Sequence, residues 1–270
     1  MKHEIIECRV EGSQNYARLY TYIIDHSEEI PIDKRALILI CPGGGYEITS
    51  DREAEMTAFQ FLSKGYHVAI LRYSTRPSVF PTSLLELAKA MSIIRQNAKE
   101  WRVNTERIVV QGCSAGGHLA ASLGVFWTER FILDQLKVDS QLIKPNGLIL
   151  NYPVITSGEF AHQGSFNALL NGIETKELLQ QLSLENQVNK NVPRVFIWHT
   201  YQDELVPVEN SLLFVQALKR YNIPTEFHMY ERGNHGLGLA NKLTVDKSGH
   251  GICKECENWV TLAFAWLENL

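Results

Sequence analysis

Five short, almost uninterrupted apolar runs recur along the chain: RALILIC from Arg35, YHVAILRY from Tyr66, RIVVQG from Arg107, NGLILNY from Asn146 and RVFIWHT from Arg194. A strand that is apolar at nearly every position leaves no face for water. Such strands belong in a parallel sheet covered on both sides, and the covering layers must come from the segments between them. Those segments are amphipathic. REAEMTAFQFLSKG reads as a helix closed by Gly65. TSLLELAKAMSIIRQNAKEW reads as a long helix with Leu84, Leu87, Ala88, Met91, Ile94 and Ala98 at helical spacing. SAGGHLAASLGVFW and VENSLLFVQALKRY follow the same rule. CENWVTLAFAWLENL puts Trp259, Leu262, Ala263, Trp266 and Leu267 on one face of a terminal helix. The predicted fold class is therefore α/β: a mostly parallel, twisted sheet with helices on both faces. Two regions differ. HEIIECRV and ARLYTYII predict an antiparallel pair at the sheet edge. Between Thr156 and Asn191 no strand is evident, only short helical pieces and polar turns. That stretch reads as an insertion near the site, within one domain spanning residues 1–270.

Length and charge narrow the function classes. A chain of 270 residues suits one large α/β domain. The net charge is -4 and no basic run occurs, so nucleic-acid partners are not expected. The longest apolar runs have strand length and cannot span a bilayer, so no membrane partner is expected either. MKHEIIECRVEGSQ has no apolar core of signal-peptide length, which predicts a cytoplasmic protein. Five scattered cysteines, an odd number, do not make a disulfide framework. Cys8, Cys41 and Cys113 read as small buried hydrophobes.

Chemistry concentrates in QGCSAGGHLA. Gly112-Cys113-Ser114-Ala115-Gly116 is a G-x-S-x-G string between a strand and a helix. There the serine sits on a tight, strained turn, and glycines two positions either side let the backbone fold that sharply. A serine before a helix can also serve merely as its N-cap. A nucleophilic serine needs a base, and the base needs an orienting carboxylate. His118 lies one helical turn past Ser114 and cannot reach over its hydroxyl. His199 and His228 end or occupy strands and read as structural. His235, in the glycine-flanked loop RGNHGLGLA after the last strand, is the candidate base. For the carboxylate, FIWHTYQDELVP offers Asp203 and Glu204. Asp203 suits a rigid hold on an imidazole, and Glu204 reads as solvent-facing. CPGGGYE follows the first central strand. Gly44 and Gly45 can present bare N–H groups to a substrate oxygen, together with the N–H of Ala115 after the serine. The phosphate-loop reading of these glycines lacks its G-x-G-x-x-G or Gly-Lys-Ser/Thr partners.

CPGGGY, GCSAGGHLAA, NYPV, DELVP and GNHGLGLA together resemble the α/β-hydrolase superfamily, from about Ala36 to Leu267. More narrowly the chain resembles the acetylesterase and acetyl-xylan-esterase-like branch, related to the hormone-sensitive-lipase group. Pro42 stands where that lipase group has the histidine of its glycine loop, and RYSTRP replaces its YRLAPE-type segment. The resemblance implies an α/β-hydrolase fold and a serine esterase that cleaves short acyl groups from a small-molecule ester. Acetylated sugars are among the alcohol parts it allows. The expected roles are Ser114 as nucleophile, His235 as base, Asp203 as its orienter, and Gly44, Gly45 and Ala115 as the oxyanion hole, with no metal or organic cofactor. Amidase, peptidase or formamidase-like action, acyl transfer, and a non-catalytic binding role use the same fold and stay open. So do the oligomeric state, a homo-oligomer included, and the substrate-binding residues. Ile155, Phe160 and Phe166 are suggested as pocket lining. His250, Cys253 and Cys256 could offer three metal ligands, too few for a closed site; the plainer reading places Cys256 and Trp259 facing inward at the start of the last helix.

Overall fold

The computed structural model describes residues 1–270. Eight strands form one sheet: β1 (Lys2–Glu7), β2 (Arg18–Ile23), β3 (Arg35–Cys41), β4 (His67–Arg72), β5 (Val103–Cys113), β6 (Gly147–Asn151), β7 (Arg194–Thr200) and β8 (Thr225–Tyr230). Their spatial order is β1-β2-β4-β3-β5-β6-β7-β8. β1 and β2 pair antiparallel, as does β2 with β4. Every other neighbouring pair is parallel. The antiparallel edge is thus where the half-polar HEIIECRV and ARLYTYII segments place it.

Each central strand feeds two cores in alternation. Leu37, Leu39, Ala69, Leu71, Ile108, Val110, Leu148, Leu150, Val195 and Ile197 face the larger one. Ile38, Ile40, Val68, Ile70, Val109, Ile149, Phe196 and Trp198 face the smaller. The period of two explains why these strands read as continuously apolar: both faces are dry. Helices α2 (Thr82–Gln96), α3 (Ala115–Phe126) and α7 (Glu209–Arg220) cover the larger core, and α1 (Glu55–Ser63) and α8 (Trp259–Glu268) cover the smaller. On α8, Trp259, Ala263, Trp266 and Leu267 are buried, which is the predicted stripe without Leu262 at its centre.

Two boundaries differ most from the sequence expectation. The helix predicted as far as Trp101 ends at Gln96. There Asn97 turns its side-chain amide back onto the Ile93 carbonyl (2.8 Å). A turn through left-handed Arg102 (φ 51°) then delivers the chain to β5. β5 begins earlier than RIVVQG, because Val103 already pairs with Arg35 before the register shifts and Ile108 pairs with Leu37. A short helix, α4 (Arg130–Leu136), also stands where no element was predicted.

Between Thr156 and Asn191 lie α5 (Gln163–Leu170), α6 (Lys176–Leu182) and a 3-10 turn (Leu184–Asn186), with no strand. This segment packs down on the body. The Leu184 N–H donates to the Ile155 carbonyl (3.0 Å) and the Phe80 N–H to that of Leu169 (3.0 Å). Ile155 and Phe166 are buried to 0% and 1% exposure, so they belong to the core and do not line an open pocket as suggested. No helix is long and apolar enough to cross a membrane.

α3 approaches the carboxyl ends of β3 and β5 so closely that side chains are excluded. A Cβ on Gly116 would lie 2.1 Å from the Cys41 carbonyl oxygen, and one on Gly112 would lie 2.1 Å from that of Gly116. Both obstacles are backbone and cannot swing aside. Gly116→Ala is therefore expected to destabilise the protein by about 1–3 kcal/mol or more. Equilibrium urea denaturation measures this as a lower midpoint at unchanged slope; an unchanged midpoint would refute the close approach.

Candidate active site

Ser114 holds φ 53° and ψ -120°, a conformation that L-residues rarely adopt. The surrounding backbone enforces it. The Ser114 N–H donates to the Asn151 carbonyl (3.0 Å), and its own carbonyl accepts from His118 N–H (3.0 Å) and Val154 N–H (3.1 Å). The serine side chain caps nothing on α3. Its Oγ instead stands 2.7 Å from His235 Nε2. The helix-cap reading therefore fails on geometry. The neighbouring thiol is out of play: Cys113 is buried in the smaller core, and burial pushes its pKa well above the ordinary thiol value. Gln111 and Asn151 amides point at its sulfur (3.2 and 3.4 Å).

His235 sits in the loop after β8, as the glycine pattern predicted. Its Nδ1 lies 2.7 Å from Asp203 Oδ2. A carboxylate only accepts, so Nδ1 carries the hydrogen and the Nε2 lone pair is left facing the Ser114 hydroxyl. Asp203 occupies the turn after β7. Its Oδ1 accepts from the N–H groups of Leu205 (3.1 Å) and Val206 (2.9 Å). Burial alone would raise its pKa; hydrogen bonds from His199 and His235, and their charge, outweigh that and hold it well below the ordinary carboxylate range. Glu204, the alternative, is exposed.

The glycine loop runs beside the serine. A Cβ on Gly43 would meet Ser114 Cβ at 3.0 Å. The Gly43 N–H is taken by Glu53 Oε2 (2.7 Å). The N–H groups of Gly44, Gly45 and Ala115 donate to no protein group. Gly44 (φ 127°) and Gly45 (φ 65°) adopt backbone conformations open to glycine. The three predicted donors are thus the uncommitted ones.

Sequence reasoning missed several residues that hold these parts. His199 was read as structural, yet its Nε2 lies 3.2 Å from Asp203 Oδ2 and 2.9 Å from the Val206 carbonyl. Two acceptors there mean that Nε2 carries the hydrogen, so Asp203 is held by a second imidazole. His118 takes the Tyr46 hydroxyl at Nδ1 (2.9 Å) and faces the Leu182 carbonyl through Nε2 (3.0 Å). It ties the glycine loop to the insertion. Arg52 donates to the carbonyls of Thr244 (2.6 Å) and Gly236 (3.1 Å). His250 turns its Nε2 onto the His235 carbonyl (2.7 Å) instead of joining Cys253 and Cys256. Those two thiols lie buried in the turn ahead of α8, and Cys256 and Trp259 do face inward. The links of His118, Arg52 and His250 join segments far apart in the chain, and no local spacing signals them; His199 reaches Asp203 only four residues on, across the turn after β7.

Burial lowers the pKa of His118 to about 4, against a weaker raising effect of the Leu182 carbonyl. His67 is likewise lowered to about 4 by burial. A folded-state pKa below the unfolded value of 6.5 means that, between those two pH values, the unfolded chain binds protons that the folded one refuses. Stability is expected to fall as pH drops from 6.5 toward 4 and to level off for these groups below that. Thermal unfolding across this window should show the decline, and His118→Gln should decline less steeply. A variant as pH-sensitive as wild type would contradict the assignment.

Comparison with known proteins places this geometry in context. A family model described as BD-FAE matches residues 26–218. The chain is 36% identical to endo-1,4-beta-xylanase B of Butyrivibrio fibrisolvens over 86% of its own length and 37% of that protein's. It is 28% identical to an acetylxylan esterase of Xylanibacter ruminicola, over 84% of this chain and 45% of that one. It thus spans less than half the length of these curated relatives. Among solved structures, the acetyl ester-xyloside bifunctional hydrolase of Caldicellulosiruptor lactoaceticus superposes with a TM-score of 0.83 at 33% identity, covering 98% of this chain and 96% of that one. The architecture is the α/β-hydrolase fold.

Proposed function

This chain belongs to the BD-FAE family of esterase-like α/β hydrolases, and from that footing we propose that it is a serine carboxylic ester hydrolase acting on short, acetyl-like acyl groups. The observation that carries the reading is the 2.7 Å approach of Ser114 Oγ to His235 Nε2, with His235 Nδ1 at the same distance from Asp203. In this reading the Ser114 hydroxyl attacks the ester carbonyl while His235 takes its proton. Asp203 keeps the hydrogen on Nδ1 and stabilises the imidazolium that forms. The N–H groups of Gly44, Gly45 and Ala115 receive the oxyanion, each donor supplying about 2.7–4 kcal/mol at the transition state. His235 then protonates the leaving alcohol, and water that it activates releases the acyl group from Ser114.

For the alcohol part, the proposal is an acetylated, xylose-containing sugar. Its support is the likeness to an acetylxylan esterase and to an acetyl ester-xyloside hydrolase. The substrate would be a small-molecule ester and no cofactor takes part.

Hydrolysis of p-nitrophenyl acetate should drop by roughly 10⁴-fold or more in Ser114→Ala, His235→Ala and Asp203→Asn. Longer acyl chains should be poorer substrates, and acetylated xylo-oligosaccharides should outperform simple alkyl acetates. A wild-type protein inert toward every ester would end the esterase reading. Full turnover in Ser114→Ala would move the chemistry to another group. Equal rates on sugar and alkyl acetates would remove the sugar proposal alone.

A further inference from the structure

The 3-10 turn Asp51–Glu53 lies outside the residues with proposed chemical roles, yet it touches both loops that carry them. Glu53 is 4% exposed although it is a carboxylate. One oxygen, Oε2, accepts the Gly43 N–H at 2.7 Å. The other, Oε1, accepts the Tyr152 hydroxyl at 2.7 Å. The Tyr152 oxygen in turn accepts the N–H of Gly238 at 2.8 Å, three residues beyond His235. The Tyr152 ring stands edge-on to the His235 imidazole, with centroids 5.1 Å apart. Arg52, the preceding residue, holds the same histidine loop through the Gly236 and Thr244 carbonyls. On its outer side the turn is anchored by Arg72, which reaches Asp51 (2.9 Å) and Glu55 (3.1 Å).

We propose that Glu53, acting through Tyr152, is a positioning residue that sets the glycine loop and the histidine loop in register across Ser114. The inference rests on the esterase reading. Its physical content is a shared acceptor. Neither loop contacts the other through its own backbone at these points: Gly43 and Gly238 both end, directly or through one hydroxyl, on a single buried carboxylate. An oxyanion donor and a general base act on the same tetrahedral centre, so an error in their separation acts directly on the barrier. Misplacement on the order of 1 Å costs about 10²-fold in rate. Burial, with the nearby Cys113 and Glu53, raises the Tyr152 pKa well above its ordinary value, so the hydroxyl remains a donor to Glu53. Gly43 has no slack either, since a Cβ there would sit 2.6 Å from Glu53 Oε2 and 2.8 Å from the Cys113 carbonyl. A buried carboxylate that accepts a hydrogen bond at each oxygen is costly to leave without either donor.

Two conservative variants separate the arms. Gln at position 53 keeps the shape but offers one acceptor atom where two donors point. Phe at position 152 keeps the ring against His235 and Trp198 and removes the hydroxyl that joins Glu53 to Gly238, leaving the bond from Gly43 to Glu53 in place. The experiment combines steady-state hydrolysis of p-nitrophenyl acetate with amide hydrogen exchange resolved by mass spectrometry. For Glu53→Gln, exchange should accelerate at Gly43 and at Gly238 together. Its kcat should fall roughly ten- to hundredfold with KM nearly unchanged. For Tyr152→Phe, exchange should accelerate at Gly238 but not at Gly43, again with a lower kcat. Unchanged exchange at both glycines in Glu53→Gln would overturn the brace. Faster exchange with undiminished kcat would overturn its positioning role, and faster exchange throughout the chain would reduce it to general stability. If wild type hydrolyses no ester, the esterase reading fails by itself, while the exchange pattern still decides whether Glu53 couples the two loops.

Discussion

The site depends on a backbone conformation that an isolated serine would not keep. Holding a non-glycine residue at the φ and ψ of Ser114 costs on the order of 1–3 kcal/mol. The conformation persists because its neighbours over-determine it. β5 enters with its last six residues, 108–113, all buried, and α3 leaves packed against the ends of β3 and β5 through bare glycine backbone. The N–H and C=O of Ser114 are committed to Asn151, His118 and Val154. The hydroxyl is then the one polar group of that residue left to face outward. A chain that relaxed at this turn would lose the β5–α3 contact along with the serine's orientation.

From that fixed point the rest is a matter of bringing two other loops to it. β7 ends in the turn that carries Asp203, and β8 ends in the loop that carries His235. Both strands lie parallel to β5 in one sheet, so their carboxyl ends emerge at the same edge. That is where open α/β sheets assemble sites. The loops still have to be held at ångström precision, and charged or polar side chains do this. Asp203 is gripped by two backbone amides and two imidazoles. The His235 loop is held from outside by Arg52 and His250. The tether between His118 and Tyr46 secures the glycine loop from beneath and reaches on to the insertion.

Local signals carried the first layer of this arrangement. G-x-S-x-G between a strand and a helix marks the strained turn because only small residues permit such a bend. Asp203 and His235 were legible because each follows a strand, in the chain order that the fold uses. Gly44, Gly45 and Ala115, the proposed oxyanion donors, were singled out because bare or elbow-adjacent backbone has few other uses there. The supporting layer was not legible. Glu53 lies in what reads as the first turn of an amphipathic helix, and a charged residue there is ordinarily exposed. His199 was assigned to the strand as structural, yet its ring touches the same carboxylate as His235. Ile155 and Phe166 were suggested for the pocket because an insertion often covers one, but both complete the core instead.

What this sequence determined by itself is the periodic content: which segments are doubly covered strands, which are amphipathic helices, and which short glycine-bearing turns join them. Hydrophobic periodicity and steric limits on backbone angles act within a few residues, so a reader of the chain can recover them. Only the tertiary structure decided which polar side chains share an acceptor. Glu53 meets Tyr152, Tyr152 meets Gly238, and Asp203 meets His235, through hydrogen bonds that form once the sheet has brought distant segments within reach. Such bonds depend on distance and burial together, and neither is written in the spacing of residues along the chain.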